Sequence, residues 1–174
     1  MIFLGIGSNL ESQFGDRFLN IKRTLKLIKY EKIKIKKISN FYETPSYPNK
    51  KNPKFINIVI QVDFQSSPEV LLRKILIIEK KMGRTRKNKN EPRTCDIDII
   101  DFNGKILNKK NIILPHPKAH ERSFVLFPLK EICPIWIHPI INKKVDVLIG
   151  KLSSKTSNEI TRIEESVILN GNDK

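Results

Sequence analysis

The chain has 174 residues, a formal net charge of +15, a pI near 9.9 and 39% hydrophobic residues. Such a length buries a core without staples or metals and suggests one domain over residues 1–174. No apolar run approaches a membrane span, and the two cysteines, Cys95 and Cys133, are far apart and form no CxxC pattern.

The charge asks for an anionic partner without choosing among nucleic acid, a membrane surface and a nucleotide phosphate chain, and part of it reads as plain solvated lysine. The apolar start MIFLGIGSNL carries no basic leader, so a cytoplasmic protein with reduced thiols and no cleaved segment is expected.

Ile2 to Ile6 reads as a first strand ending in a Gly5, Gly7, Ser8, Asn9 turn. Phe14, Phe18, Ile21, Leu25 and Ile28 recur at helical spacing and predict an amphipathic helix from Asp16 to Tyr30. Lysine alternates with isoleucine over Lys32 to Tyr42, a half-exposed strand with a bulge where Lys36 and Lys37 break the period. After the proline-punctuated loop TPSYPNKKNP, the alternation of Ile56, Ile58, Ile60, Val62 and Phe64 predicts a core-facing strand. It turns Phe55 and Asn57 to the opposite face.

Ser66, Ser67 and Pro68 open a second helix with the buried stripe Leu71, Ile75, Ile78 and Met82, ending at Gly83. The loop RTRKNKNEPR then leads into a strand where Cys95, Ile97 and Ile99 share one face. Asp96 and Asp98 share the other, about 7 Å apart. Asn103 and Gly104 read as a hairpin turn, with Ile106 and Leu107 or Ile112 and Ile113 returning. VLFPLKEICPIWI predicts a short helix interrupted by prolines, and the polar stretch from Gly150 an appendage. The order strand, helix, strand, strand, helix, strand implies an α+β fold of ferredoxin-like type, an antiparallel sheet with helices packed on one face.

Two aspartates on a surface strand can be simple decoration. Here they follow a loop carrying Arg84, Arg86, Lys87, Lys89 and Arg93, so cation-binding acceptors and anion-binding donors lie side by side. Phosphoryl transfer uses that combination, magnesium on a few carboxylates and arginines on the phosphates. Arginine is also the better bidentate phosphate ligand in a chain that otherwise prefers lysine. In PHPKAHERSF, His116 and His120 have zinc-like spacing, but Pro117 intervenes and no third soft ligand is evident. Phosphate hydrogen bonding by His116 and Arg122 is the better reading, and His138 reads as structural. Asn57 is either a surface asparagine or the polar anchor of a pocket walled by Phe55 and Phe124.

The segments GIGSNL, FYETP, FIN, Glu79 through GRTR, PRTCDIDII and PHPKAHERSFVLFPL span Ile2 to about Pro134 in order. On them the chain resembles the 6-hydroxymethyl-7,8-dihydropterin pyrophosphokinase family of folate biosynthesis, PRTxDxD together with PHPxxHER being the specific pair. The resemblance implies transfer of the β,γ-pyrophosphoryl group of ATP to the pterin hydroxymethyl oxygen, leaving AMP, under long substrate-covering loops. It implies two magnesium ions on Asp96 and Asp98, and ATP among Glu79, Arg84, Arg86, Arg93, Ile99, His116 and Arg122, with Arg84 and Arg93 catalytic. Glu79 would lie near the nucleotide or support the magnesium strand. Thr44, Pro45, Phe55, Asn57 and Phe124 would form the pterin pocket.

The chemistry asks for positioning and charge rather than a strong general base. Three departures bear on loop closure and pocket shape: Asn90 and Glu91 stand where the family commonly has an aromatic residue and a glycine, SYPNKKNP replaces a glycine-containing turn, and an extended LESQFGDR follows the GSN turn. A monomer without membrane or nucleic-acid partners is expected. The competing reading is a basic ferredoxin-like RNA-binding module, which explains the charge but wants an aromatic cluster on the sheet face in place of two aspartates.

Overall fold

The computed structural model describes residues 1–84 and 91–164. Its centre is the alternating strand β4 (Phe55–Asp63), which pairs antiparallel with β1 (Ile2–Ser8) along its whole length. On its other edge β4 pairs with β2 (Lys34–Ile38) and β3 (Phe41–Thr44), and the outer edge of β1 takes β5 (Asp96–Phe102). The expected bulge is present, since the register jumps from Ile35 opposite Val62 to Lys37 opposite Gln61. The single strand expected over Lys32 to Tyr42 is instead broken at Ser39. Its backbone N–H donates to the Val59 carbonyl and its hydroxyl accepts the Val59 N–H, both at 3.0 Å, so one residue serves both rungs of the ladder.

Helix α1 (Arg17–Tyr30) starts at Asp16, whose carboxylate accepts the Leu19 N–H at 2.9 Å; Phe14 lies before it. Helix α2 (Pro68–Lys81) starts at Ser67. Both pack on one sheet face, where Leu4, Ile6, Ile58 and Ile60 meet Ile21, Leu25, Leu71 and Ile75 in a largely apolar core. This is the expected ferredoxin-like arrangement, and it extends further than the sequence implied. The opposite face is also covered, by α3 (Ser123–Ile132) and α4 (Val145–Ile149), whose Leu126, Leu129 and Val145 pack with Phe3, Val59 and Ile100.

Four local expectations are corrected. β1 does not end at Ile6 but runs through Gly7 to Ser8, because the whole stretch pairs with β4. The Asn103 and Gly104 turn forms, with φ of 55° and 70°, but the chain beyond it makes its own hairpin, β6 (Leu107–Lys109) with β7 (Ile112–Leu114). Helix α3 runs through Pro128, because its apolar face holds the turn together and the proline removes the single N–H that the Phe124 carbonyl would accept. The stretch read as an appendage forms α5 (Ser154–Asn158) and β8 (Thr161–Ile163), which pairs with β3. The remainder of IEESVIL lies outside the described residues, as do Arg86, Lys87, Lys89 and Asn90. Among the described residues no helix is long and apolar enough to cross a membrane.

Candidate active site

The face of the sheet under α3 and α4 is covered only over part of its length. Strand alternation places Gly5 and Gly7 of β1, Phe55 and Asn57 of β4 and Asp96 and Asp98 of β5 on that face, with Gly7 opposite both Asn57 and Asp96. Neither glycine is needed for an unusual φ. Gly7 is needed for space, because a Cβ there would sit 2.9 Å from Asn57 Oδ1 and 3.5 Å from Phe55. Asn57, 6% exposed, lies in that gap and donates from Nδ2 to Thr44 Oγ1 at 3.1 Å. The choice left open for Asn57 therefore resolves against a surface asparagine.

Beside this pocket the two aspartates meet four cationic or polar donors. Gly83, at φ +78°, closes α2 with paired bonds from Gly83 N–H to the Lys80 carbonyl and from Arg84 N–H to the Glu79 carbonyl. That reversal points Arg84 back at β5, where Nη1 reaches Asp96 Oδ1 at 2.5 Å and also contacts Glu79. Glu79 is 2% exposed and accepts the Ile97 N–H at 2.9 Å. Its place is thus beneath the strand, which it supports together with Arg84. Arg93 Nε lies 2.8 Å from Asp96 Oδ2, at an angle that makes the contact an ion pair and not a hydrogen bond.

Around Asp98 the contacts are looser. Arg122 Nη1 and His116 Nε2 approach Oδ2 to 3.4 Å and 3.8 Å. His116 Nδ1 accepts the Lys118 N–H at 3.1 Å, which leaves Nε2–H as the donor of the neutral ring. Burial and then the charge of Arg122 push the imidazole down to about 4, so it is neutral at physiological pH. A neutral N–H donor beside a guanidinium is suited to phosphate oxygens. His120 is apart from this group, with Nε2 3.3 Å from Glu121, and His138 Nδ1 accepts the Ile140 and Ile141 N–H groups at 3.2 Å, a structural turn.

The two aromatics each carry an arginine. The Arg93 guanidinium stands 5.2 Å from the Phe55 ring centroid, and that of Arg122 stands 5.4 Å from Phe124. Phosphate-binding candidates and ring-stacking candidates are therefore interleaved. Ile99 departs from the rest, since its side chain lies in the core on the face away from the aspartates. Pro45, half-buried, follows Thr44 at the pocket edge.

The donor set can be tested against magnesium. Among the described residues no group of three or more His, Cys, Asp and Glu side chains converges on one point. Two carboxylates with arginines nearby suit an ion that keeps its waters and shares substrate phosphates, and do not suit a closed protein cage. Asp96 and Asp98 fit that demand.

Desolvation, then the charge of Asp96, push the Asp98 carboxyl up to about 6. A proton then competes with the cation below that pH. Magnesium affinity, measured by titration calorimetry with an ATP analogue, is expected to fall by up to about tenfold per unit as pH drops below 6 and to level above 7.

The sequence reading missed Gly7 as a spacer and Asn9 and Ser46 as anchors; Asn9 and Ser46 are 2% and 3% exposed. The spacing of Gly5 and Gly7, two residues apart on one strand face, was the available signal for the spacer.

Comparison with known proteins bears on the whole arrangement. The sequence profile of the 7,8-dihydro-6-hydroxymethylpterin-pyrophosphokinase family matches residues 3–134. A 2-amino-4-hydroxy-6-hydroxymethyldihydropteridine pyrophosphokinase of Aquifex aeolicus is 36% identical over 142 residues, 82% of this chain and 86% of that protein. The folic acid synthesis protein fol1 of Pneumocystis carinii is 37% identical over 139 residues, 80% of this chain. The chain spans only 18% of that relative's length and 21% of its Dictyostelium discoideum counterpart. The wild-type HPPK-DHPS crystal structure of Plasmodium falciparum aligns with a TM-score of 0.64 over 86% of this chain and 44% of that one, at 19% identity, a likeness of fold.

Proposed function

This chain belongs to the 7,8-dihydro-6-hydroxymethylpterin-pyrophosphokinase family, and on that premise we propose that it transfers pyrophosphate from ATP to 6-hydroxymethyl-7,8-dihydropterin in the cytoplasm. The observation that carries the proposal is the convergence of Asp96, Asp98, Arg84, Arg93, Arg122 and His116 beside a polar slot made by Asn57 and Thr44. Membership of this family displaces the RNA-binding alternative.

Asp96 and Asp98 would hold magnesium, expected as two ions, which would neutralise phosphate charge and polarise the β-phosphorus. The rest is done by side chains. Arg84 and Arg93 leave Asp96 for the phosphates and offset the charge that develops as the bond between the α,β-bridging oxygen and the β-phosphorus breaks. His116 Nε2–H and Arg122 bind the phosphate oxygens and orient the chain in line with the hydroxymethyl oxygen. That oxygen forms the new bond to the β-phosphorus, its proton passes to solvent, and AMP leaves. Asn57 pairs with the amide-like edge of the pterin while Phe55 and Phe124 stack on the ring, fixing the distance of approach. Positioning of this kind can supply roughly 7–11 kcal/mol of the barrier.

The pterin half is tested by fluorescence titration of the pterin substrate. The unaltered protein is expected to bind it saturably. Gly7→Ala, which drives a Cβ into the space of Asn57 Oδ1, is expected to weaken binding by about tenfold, the worth of one well-made hydrogen bond. No saturable binding by the unaltered protein, or undiminished binding by Gly7→Ala, contradicts the pocket assignment.

A further inference from the structure

One buried residue joins the two halves of the proposed site without belonging to either. Asn9 follows β1 and uses every polar atom of its side chain. Its Oδ1 accepts the Arg93 N–H at 2.7 Å, while its own N–H and that of Leu10 donate to the Arg93 carbonyl at 3.0 Å and 3.2 Å. The backbone of Arg93 is thereby gripped on both sides, which sets where its guanidinium stands over Phe55 and beside Asp96.

In the other direction Nδ2 donates to Ser46 Oγ and to the Pro53 carbonyl, both at 3.1 Å. The Ser46 hydroxyl donates to the same carbonyl at 2.5 Å. These three bonds close the neck of the 46–53 loop, whose ends run directly into Thr44 and Pro45 on one side and Phe55 and Asn57 on the other. The segment bearing Asn9 is itself anchored. The fully buried Asn20 of α1 donates to the Leu10 carbonyl at 2.8 Å and accepts from Ser12 Oγ at 2.5 Å.

We propose that Asn9 is a positioning residue that couples the pterin side of the site to the phosphate side, so that a ligand which settles one loop tightens the other. The proposal rests on the pyrophosphokinase reading. A strained or displaced 46–53 neck shifts Asn9, and Asn9 cannot shift without carrying the Arg93 backbone, because the same amide group serves both. A residue needed only for folding would weaken both ligands alike and leave their mutual dependence intact. Asn9 is distinguished by that dependence.

The test measures the Kd of the pterin substrate for the full chain with and without a non-hydrolysable ATP analogue and magnesium, in the unaltered protein, Asn9→Ala and Ser46→Ala. In the unaltered protein the analogue is expected to change the pterin Kd by about fivefold or more, and the pterin to change the analogue's Kd by the same factor. In Asn9→Ala the factor is expected to fall to within about twofold of one. Ser46→Ala removes two of the three neck bonds and loosens only the pterin-side link, leaving the Asn9 bond to the Pro53 carbonyl; it is expected to lower the factor while leaving the analogue's own Kd unchanged, and it decides the matter if Asn9→Ala does not fold. Binding of both ligands without coupling in the unaltered protein, or undiminished coupling in the variants, overturns the proposal. Failure of the unaltered protein to bind either ligand is a different result and overturns the pyrophosphokinase reading beneath it.

Discussion

Asp98→Asn is expected to lower pyrophosphoryl transfer by about a thousandfold or more, and at the same time to raise the unfolding temperature of the metal-free protein above pH 6. The loss would follow from removing one of the two carboxylates proposed to hold magnesium, since among the described residues no group of three or more His, Cys, Asp and Glu side chains converges there to replace it. The gain in stability follows from the direction of the Asp98 shift. Its carboxyl is raised to about 6 from an unfolded value near 3.8, first by desolvation and then by Asp96. Its stabilising contribution is therefore fully present below 3.8 and lost as pH rises through 6, where the folded state must carry the unfavourable charge.

An uncharged isostere removes that burden, so the difference between variant and unaltered protein should be seen at pH 8 and vanish below pH 4. The Asp98 side chain keeps 40% of its surface exposed, so solvent screens the effect and a shift of a few degrees is the scale to look for. Thermal melts at both pH values, with and without magnesium and an ATP analogue, check both parts. A variant that keeps normal turnover excludes Asp98 from the metal site.

The second large effect belongs to Arg84, to which the proposed function gives a catalytic share beside the structural one shown by its contacts with Glu79 and Asp96. Burial works against its charge, and Asp96 and Glu79 outweigh that, holding the guanidinium firmly protonated. Arg84→Ala takes this cation from the buried Glu79 carboxylate that supports the Ile97 N–H. The expected destabilisation is about 3 kcal/mol, and the expected loss in kcat is about 10²–10³-fold, for a donor that acts where charge develops.

The two shares separate in the double variant Glu79→Gln with Arg84→Met, which removes the buried charges together. Its stability to urea should return to within about 1 kcal/mol of the starting value, since replacing a buried pair is often neutral, while turnover stays low. Recovery of turnover along with stability would show that Arg84 acts only through the fold.

Much of this was legible beforehand because the physics is local. The alternation from Ile56 to Val62 alone places β4 in a sheet and turns Asn57 away from the helical core, and Ser67 with Gly83 marks both ends of α2. The aspartates declare themselves by breaking an apolar strand. The covering of the opposite face by α3 and α4 was not legible, since it depends on Phe3, Val59 and Ile100 meeting residues far along the chain, and alternation alone does not say what covers a face.

Asn9 was hidden for the same reason. An asparagine after glycines reads as a turn, and its partners Ser46, Pro53 and Arg93 lie 37 to 84 residues away. The support of β5 by Glu79 was half visible, as one of two roles, because β5 lies at a sheet edge and its Ile97 N–H needs an acceptor from outside the sheet.

The central claim is met most directly by following nucleotide products when the purified protein is given ATP, magnesium and 6-hydroxymethyl-7,8-dihydropterin. AMP and the pterin diphosphate should form in equal amounts, and only when both pterin and metal are present. ADP in place of AMP, AMP formed without the pterin, or no product at all would contradict the account.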